Sequence, residues 1–539
     1  MFIFRWLRLI ACLAATIPCV TFSANSEQGL NPNLTSEFVV GLEEFPETLD
    51  PRAISFSQLE QSLEHLLFLP LISSSPSGLP QFVLAESASF KSPELLEIEL
   101  RSGIRFANGR EIIADDVVAT YGYILGKFNA DRESPRKDVF SNVLSISRVA
   151  IRTIHVALKS PDASILSQLT VGILPREIFM QNTPNGKIGA QLRGLGAESG
   201  PFVLSKFGDR EFVLRRNTRY TGAPYGGSLP MSAKVRFKLF GSRQAIYDGL
   251  LSGEIHLVQN SLDSFHLSEL RAKHSSRFRV QQVVADETWF LGLNFQRKIF
   301  SDLRLRRAMA LAIDRKEILN FSLFGEGLQA KSIFPPRHYL YPASLESISP
   351  AEREARLLIE STGFQPLASQ KVEAVEQPSK MHFSISVPME KERIAIAKAV
   401  AGQLRSVGLK VGIDVSDYAT FINKLKLGNM DAWIAPWSGF RDGDLLRFAL
   451  HSHRRPPVGA NYGAYNNEEL DTALDKALRT LNQSERKRLY ERAQRIIAND
   501  FPYILLWHSL NFAVSNRNVQ GFEVFPDARL TSLGSVRAR

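Results

Sequence analysis

Late in the chain, an aromatic residue and a cluster of opposite charges stand at the end of an apolar run. The run is Ala432, Trp433, Ile434, Ala435, Pro436, Trp437, and Phe440, Arg441, Asp442, Gly443 and Asp444 follow. The planar fork of Arg441 suits a ligand carboxylate. It equally suits neutralising Asp442, and Asp444 stands where a residue would open the helix LLRFAL. A tryptophan beside a few polar groups is what a ligand cleft needs. Core packing explains a tryptophan equally well.

Two other groupings have residue types that could do chemistry. His451 and His453 form an HxH pair that suits a metal, but RRPP follows at once and fits a solvated helix end. Asp115-Asp116 is a pair of acids, and a helix cap with first-turn charge explains it better than acid–base catalysis. HExxH, GxSxG and P-loop patterns are missing from the sequence. The expectation is a protein that is not an enzyme and holds no metal or cofactor.

The elements that position these residues belong to a large molecule. A chain of 539 residues exceeds one ordinary core, so two or three domains or lobes are expected. Hydrophobic residues at 44% and charged residues at 22% are ordinary globular composition. The net charge of +10 comes from scattered basic residues, with no basic–aromatic stripe, so nucleic acid is not expected as a partner. The first residues differ from the rest. MFIFRWLR, then LIACLAATIPCV, then TFSAN read as a secretory signal removed near Ser23 or Ala24. Leu9-Ile10-Ala11-Cys12 also matches a lipoprotein box, the alternative in which Cys12 carries a lipid. Both cysteines, Cys12 and Cys19, lie here, so cleavage near 24 leaves no disulfide.

From Glu37 onward, strand and helix patterns alternate. LLEIEL has strand alternation, Asn108-Gly109 is a turn signal, and Asp115 is a good N-cap for the next helix. SRQAIYDGLLSG reads as a helix that stops at Gly253. After Asp286 the pattern restarts. ETWFLGLNF is a strand, Ser301 or Asp302 opens a helix, Asp314 to Glu317 has capping-box spacing, and Gly363 and Gly408 close two later helices. This βαβα text argues for an α/β fold with a mostly parallel sheet. Residues 365–380 are polar and aperiodic, as in a surface insertion.

These segments resemble the periplasmic solute-binding proteins of ABC importers, in the oligopeptide- and dipeptide-binding group (extracellular solute-binding proteins, family 5). The matching text includes FPETLDP, FANGREIIADDVVATY, ESGPFVL, RRNTRYTG, LLSGEIHLV, DLRLRRAMALAIDRKEIL, EREARLLIESTGF, GNMDAWIAPW and NYGAYNNEELD, spread over nearly the whole chain after the signal. The resemblance implies a two-lobed periplasmic-binding-protein fold of type II, the large peptide-binding class, with a ligand cleft between lobes. It places a signal peptide at 1–24, a first lobe at 25–286, a second at 287–501, and a return to the first at 502–539. It implies a monomer in the periplasm that captures a peptide or peptide-like ligand for an ABC transporter permease at the inner membrane. The same fold binding a metal chelate, haem, sugar or opine, or acting as a sensor, is the alternative.

In peptide-binding members an aspartate three residues after the tryptophan pairs with the peptide's α-amino group, because a buried ammonium needs a buried carboxylate. Here that place holds Phe440, a departure. Either Asp442 or Asp444 does the same job from a longer loop, or the amino anchor is lost. The resemblance also points to Trp437, Trp289, Tyr462 and Tyr465 as cleft aromatics. It brings the backbone of Ser199 and Gly200 close to the ligand from the first lobe.

Overall fold

The computed structural model describes residues 37–54, 57–128, 133–180, 192–222, 230–363, 382–439 and 441–538. The signal segment with Cys12 and Cys19, the polar stretch 365–380, and Phe440 lie outside the described residues. Ser36–Arg539 forms one compact unit, within which the fold is α/β and two-lobed.

Among the described residues, eleven strands join in one sheet. The sheet is mixed, not mostly parallel. Lys410–Ser416 lies parallel to His382–Pro388, the helix Lys391–Ser406 carrying the chain across, and Phe38–Leu42 lies parallel to the sequence-distant Lys234–Leu239. Elsewhere tight turns and two long crossing strands impose antiparallel pairing. A separate four-stranded antiparallel sheet lies in the first half of the chain.

The two crossing strands are the backbone of the design. The outbound strand, Phe278–Leu293, runs antiparallel to the return strand, Tyr503–Asn516. Phe278 to Val284 pair with Asn516 to Leu510, and Phe290 to Gly292 pair with Leu505 to Tyr503. Register breaks between Val284 and Thr288 and again before Phe290. Each strand therefore serves two cores. Phe278, Phe512 and Val514 pack with Ile246, Leu250 and Leu267, whereas Leu291, Ile504 and Leu506 pack with Met309, Ile385 and Ala397. Asp286 sits at the break. Its N–H donates to the Pro526 carbonyl at 2.8 Å, and its carbonyl accepts from Gly439 N–H at 2.9 Å.

The local signals mostly act as their chemistry demands. Asp302 and Asp314 accept hydrogen bonds from the first-turn N–H groups of the helices Leu303–Ala312 and Arg315–Ser322. Gly253 and Gly408 take φ of 84° and 100° just past their helices. Arg306, awkward near a helix N-terminus, turns inward and donates to the Asp500 carbonyl at 2.6 Å, while Arg304 pairs with Asp302 and Arg307 with Glu354. One cap differs. The helix Ala114–Ile124 begins before Asp115, and its box closes through Asp116, which accepts from Ile113 N–H at 2.9 Å. Asp115 instead pairs with Arg148 and Arg176. No helix of the described residues is long and apolar enough to cross a membrane.

Candidate functional site

The strand Ala432–Ser438 lies antiparallel to the outbound strand, with Ser438 opposite Glu287. Gly439 follows at φ 75°, a conformation that suits glycine, and turns the chain away from the sheet. Arg441, Asp442 and the helix Asp444–Leu450 come next. This loop walls one side of a cavity of about 420 Å³. The opposite wall comes from early and late parts of the chain. The helix Gln58–Leu67 contributes Gln61 and His65, the segment 164–171 contributes Thr170, and the tail contributes Asp527 and Arg529. Asp286 lines the cavity from the register break. The cavity thus lies where segments distant in sequence face each other across the crossing strands.

Its charges are unevenly paired. Asp442 is gripped by Arg486, Nη1 to Oδ2 at 2.7 Å and Nη2 to Oδ1 at 2.5 Å. Asp442 Oδ1 also accepts from Asp444 N–H at 2.9 Å, and Asp444 opens the short helix as its first residue. Although burial opposes it, Asp442 holds the Arg486 guanidinium well above its usual pKa. Arg136 is likewise paired with Glu64 at 2.7 Å, and Arg529 lies 3.4 Å from Asp527.

Arg441, Asp444 and Asp286 are left. Arg441 reaches across the cavity and donates to Thr170 Oγ1 at 2.7 Å and to Gln61 Oε1, both neutral acceptors. Burial, then the like charge of Arg136, pulls its pKa down. The Asp444 oxygen Oδ1 is buried and has no hydrogen-bond partner. Burial, then the charges of Asp162 and Asp442, push its carboxyl up to about 7. Asp286 makes no side-chain hydrogen bond or ion pair among the described residues. Burial, then Asp527, pushes its carboxyl up to about 8. All three keep some solvent contact through the cavity although protein surrounds them. A buried carboxylate without a counter-cation is costly, and an incoming cation relieves the cost.

Among the residues singled out in the sequence, Arg441, Asp442 and Asp444 come together at this cavity. Trp437 stands behind the loop. Its ring stacks between Phe290 at 6.1 Å and Tyr462 at 6.4 Å, so the pair Trp437–Tyr462 buttresses the wall rather than lining this cavity. Trp289 packs against a different core. Its indole N–H donates to Glu287 Oε1 and Ser509 Oγ, its ring stacks on Trp507 at 5.9 Å, and Arg393 covers it. Tyr465 is buried and donates to Asp500 Oδ2 at 2.6 Å. Ser199 and Gly200 both donate backbone N–H to the Leu67 carbonyl, and Ser199 Oγ accepts from Leu69 N–H. A Cβ on Gly200 would meet the Leu66 carbonyl at 2.6 Å, so its close approach is to a helix end and not to the cavity. His451 accepts from His453 N–H through Nδ1, and no group of three metal-ligating side chains is placed to hold an ion among the described residues.

Asp286, Gln61, Thr170, Asp527 and Arg529 were not foreseen. Only Asp286 carried a signal, as the last residue before the strand–helix pattern restarts.

Three comparisons with known proteins bear on this geometry. The sequence model of the bacterial extracellular solute-binding proteins, family 5, matches residues 80–451. An oligopeptide-binding protein, AppA, of Bacillus subtilis is 24% identical over 95% of this chain and 93% of its own length. Di/tripeptide-binding protein 2 of Pseudomonas aeruginosa is 23% identical over 89% of this chain and 91% of its own. Among solved structures, NikA of Brucella suis in complex with Fe(III)-EDTA superposes with a TM-score of 0.80 at 18% identity, over 94% of this chain and all of that one. That last likeness shows the shared fold.

Proposed function

As the chain belongs to the family 5 bacterial extracellular solute-binding proteins, we propose that it captures a short zwitterionic peptide in the 420 Å³ cavity and hands it to an ABC importer. The observation that carries this reading is Asp444, whose buried Oδ1 lacks a partner. An α-ammonium supplies the missing counter-charge. Of the two acids that could replace the displaced anchor, Asp442 is already satisfied by Arg486, so the amino group goes to Asp444. Arg441, held only by neutral acceptors, keeps donors for the peptide carboxylate. Relatives named for dipeptides, tripeptides and oligopeptides support a peptide ligand, and the cavity volume favours the shorter ones.

The protein acts by binding alone, as a monomer in the periplasm after removal of its signal near Ser23 or Ala24, and it delivers its load to a permease at the inner membrane. The lobes exchange at Asp286 on the way out. On the return the exchange lies within the strand Tyr503–Asn516 rather than at its start, since that strand changes cores midway. Hinge motion about these two crossings opens and closes the cavity.

Native mass spectrometry with a pool of dipeptides and tripeptides tests the reading. Wild type should retain peptides and Asp444→Asn should release them. Retention by Asp444→Asn refutes the anchor. A wild type that takes no peptide refutes the peptide class and sends the search to chelates, haem, sugars and opines.

A further inference from the structure

Once the cavity's internal pairs are removed, its charges do not balance, and the excess describes the occupant. Arg136 is taken by Glu64, Asp442 by Arg486, and Asp527 lies against Arg529. Left over are the guanidinium of Arg441 and the carboxylates of Asp444 and Asp286. Asp444 is satisfied by an α-ammonium and Arg441 by an α-carboxylate. Asp286 still has no partner. A simple zwitterion therefore leaves one buried carboxylate unmatched.

We propose that the occupant carries two cations and one carboxylate, as does a short peptide with one lysine or arginine, and that Asp286 receives the side-chain cation. This rests on the reading of the cavity as the peptide site, and it adds a specificity-determining residue to it.

Geometry supports the assignment. Asp286 is fixed by backbone hydrogen bonds to Pro526 and Gly439, so its main chain is tied to the tail and to the binding loop at once while its carboxylate stays unengaged. It stands where the register of the crossing strands breaks, which frees its side chain from the regular alternation of the sheet. The charged groups around it are Asp527, Arg529 and Arg441. Arg529 is engaged with Asp527 and donates to the Ser74 carbonyl, and Arg441 with Gln61 and Thr170, so neither pairs with Asp286. Asp527 adds negative charge on the same side. The raised proton affinity of Asp286 is the expected mark of a carboxylate awaiting a cation. A cation here also touches the hinge, so a basic ligand would favour the closed form more than a neutral one of equal length.

Calorimetric titration of the full-length mature protein tests this with four probes: Ala-Lys-Ala, Ala-Met-Ala, L-arginine and L-citrulline. Wild type should bind Ala-Lys-Ala about tenfold or more tighter than Ala-Met-Ala, since a charged hydrogen bond contributes about 1.5–3 kcal/mol. Asp286→Asn should bring that ratio close to one, and Asp286→Glu should keep part of it. Should Asp286→Asn fail to fold, wild type titrated in buffers of different ionisation enthalpy reads the same event, because the lysine peptide releases an additional proton near pH 7. Equal binding of the two tripeptides by wild type, or a preference that survives in Asp286→Asn, overturns the inference while leaving a peptide-binding protein. If neither tripeptide binds but L-arginine exceeds L-citrulline through Asp286, the peptide reading falls and the charge assignment stands. If none of the four binds, both fall.

Discussion

Arg486 holds Asp442 with both terminal nitrogens, and the two side chains are only 9% and 11% exposed. An aspartate that looks like a ligand anchor in the sequence is therefore one half of a buried ion pair. Breaking such a pair strands the other charge, at a cost of about 3–5 kcal/mol. Asp442→Ala should lower the unfolding free energy measured in urea by that order, with ligand loss only as a consequence. An Asp442→Ala protein as stable as wild type but unable to bind would make Asp442 the anchor and reverse the assignment.

Asp444 gives a pH signature. Burial pushes its carboxyl up to about 7 from the 3.8 of the free side chain. The empty folded state thus holds a proton that the unfolded chain has lost. The associated stability is fully present below pH 3.8 and is lost as pH rises through about 7. Burial drives the shift, the charges of Asp162 and Asp442 add to it, and Arg447 and Arg486 oppose it. Asp444→Asn removes the titration. The empty variant should gain on wild type in melting temperature between pH 5 and 8, by an amount that water in the cavity reduces. Binding follows the opposite course, because the ammonium needs the ionised carboxylate. Wild-type affinity should rise between pH 6 and 8, and a flat profile would remove Asp444 from the site.

The fold was legible where local chemistry decides it. Asp302, Asp314, Gly253 and Gly408 end their helices because capping depends on a few neighbouring atoms. The family resemblance read from motifs such as FANGREIIADDVVATY agrees with the match over 80–451. The mixed sheet was not legible, since strand direction depends on which distant segment arrives alongside. Part of the candidate cavity's lining was legible. Arg441, Asp442 and Asp444 stood out as charges after an apolar strand, but their roles depend on Arg486, Gln61 and Thr170, and Arg441 meets Gln61 across 380 positions of sequence. Trp289, a cleft candidate from its place near a crossing strand, packs against the core around Leu291 and Met309, a neighbourhood that depends on distant segments. Asp286 had only its place at a pattern break to mark it.

Gly292 and Trp433 face each other across the outbound strand and its neighbour. Trp433 is 1% exposed, and a Cβ on Gly292 would lie 2.3 Å from its indole. A ring so enclosed has little room to yield. Gly292→Ala should therefore cost about 1–3 kcal/mol by overpacking, measured by urea unfolding. Trp433→Phe should cost less in the Gly292→Ala background than in wild type, since the smaller ring relieves the clash. Additive effects would show that the two residues do not share the strain.

Arg441 carries the last test, because it has two possible roles that one variant alone would confuse. Its bonds to Gln61 and Thr170 join the binding loop to the opposite wall, so a pure latch is conceivable. A latch is indifferent to the peptide's C-terminus, whereas a carboxylate receptor is not. A tripeptide and its C-terminal amide separate them. Wild type should prefer the free acid by about 10- to 100-fold, the range of a charged hydrogen bond. Arg441→Gln should weaken binding of the acid and erase the difference between acid and amide. If wild type binds both alike and Arg441→Gln weakens both equally, Arg441 only holds the walls together. The peptide carboxylate then has no partner at this guanidinium.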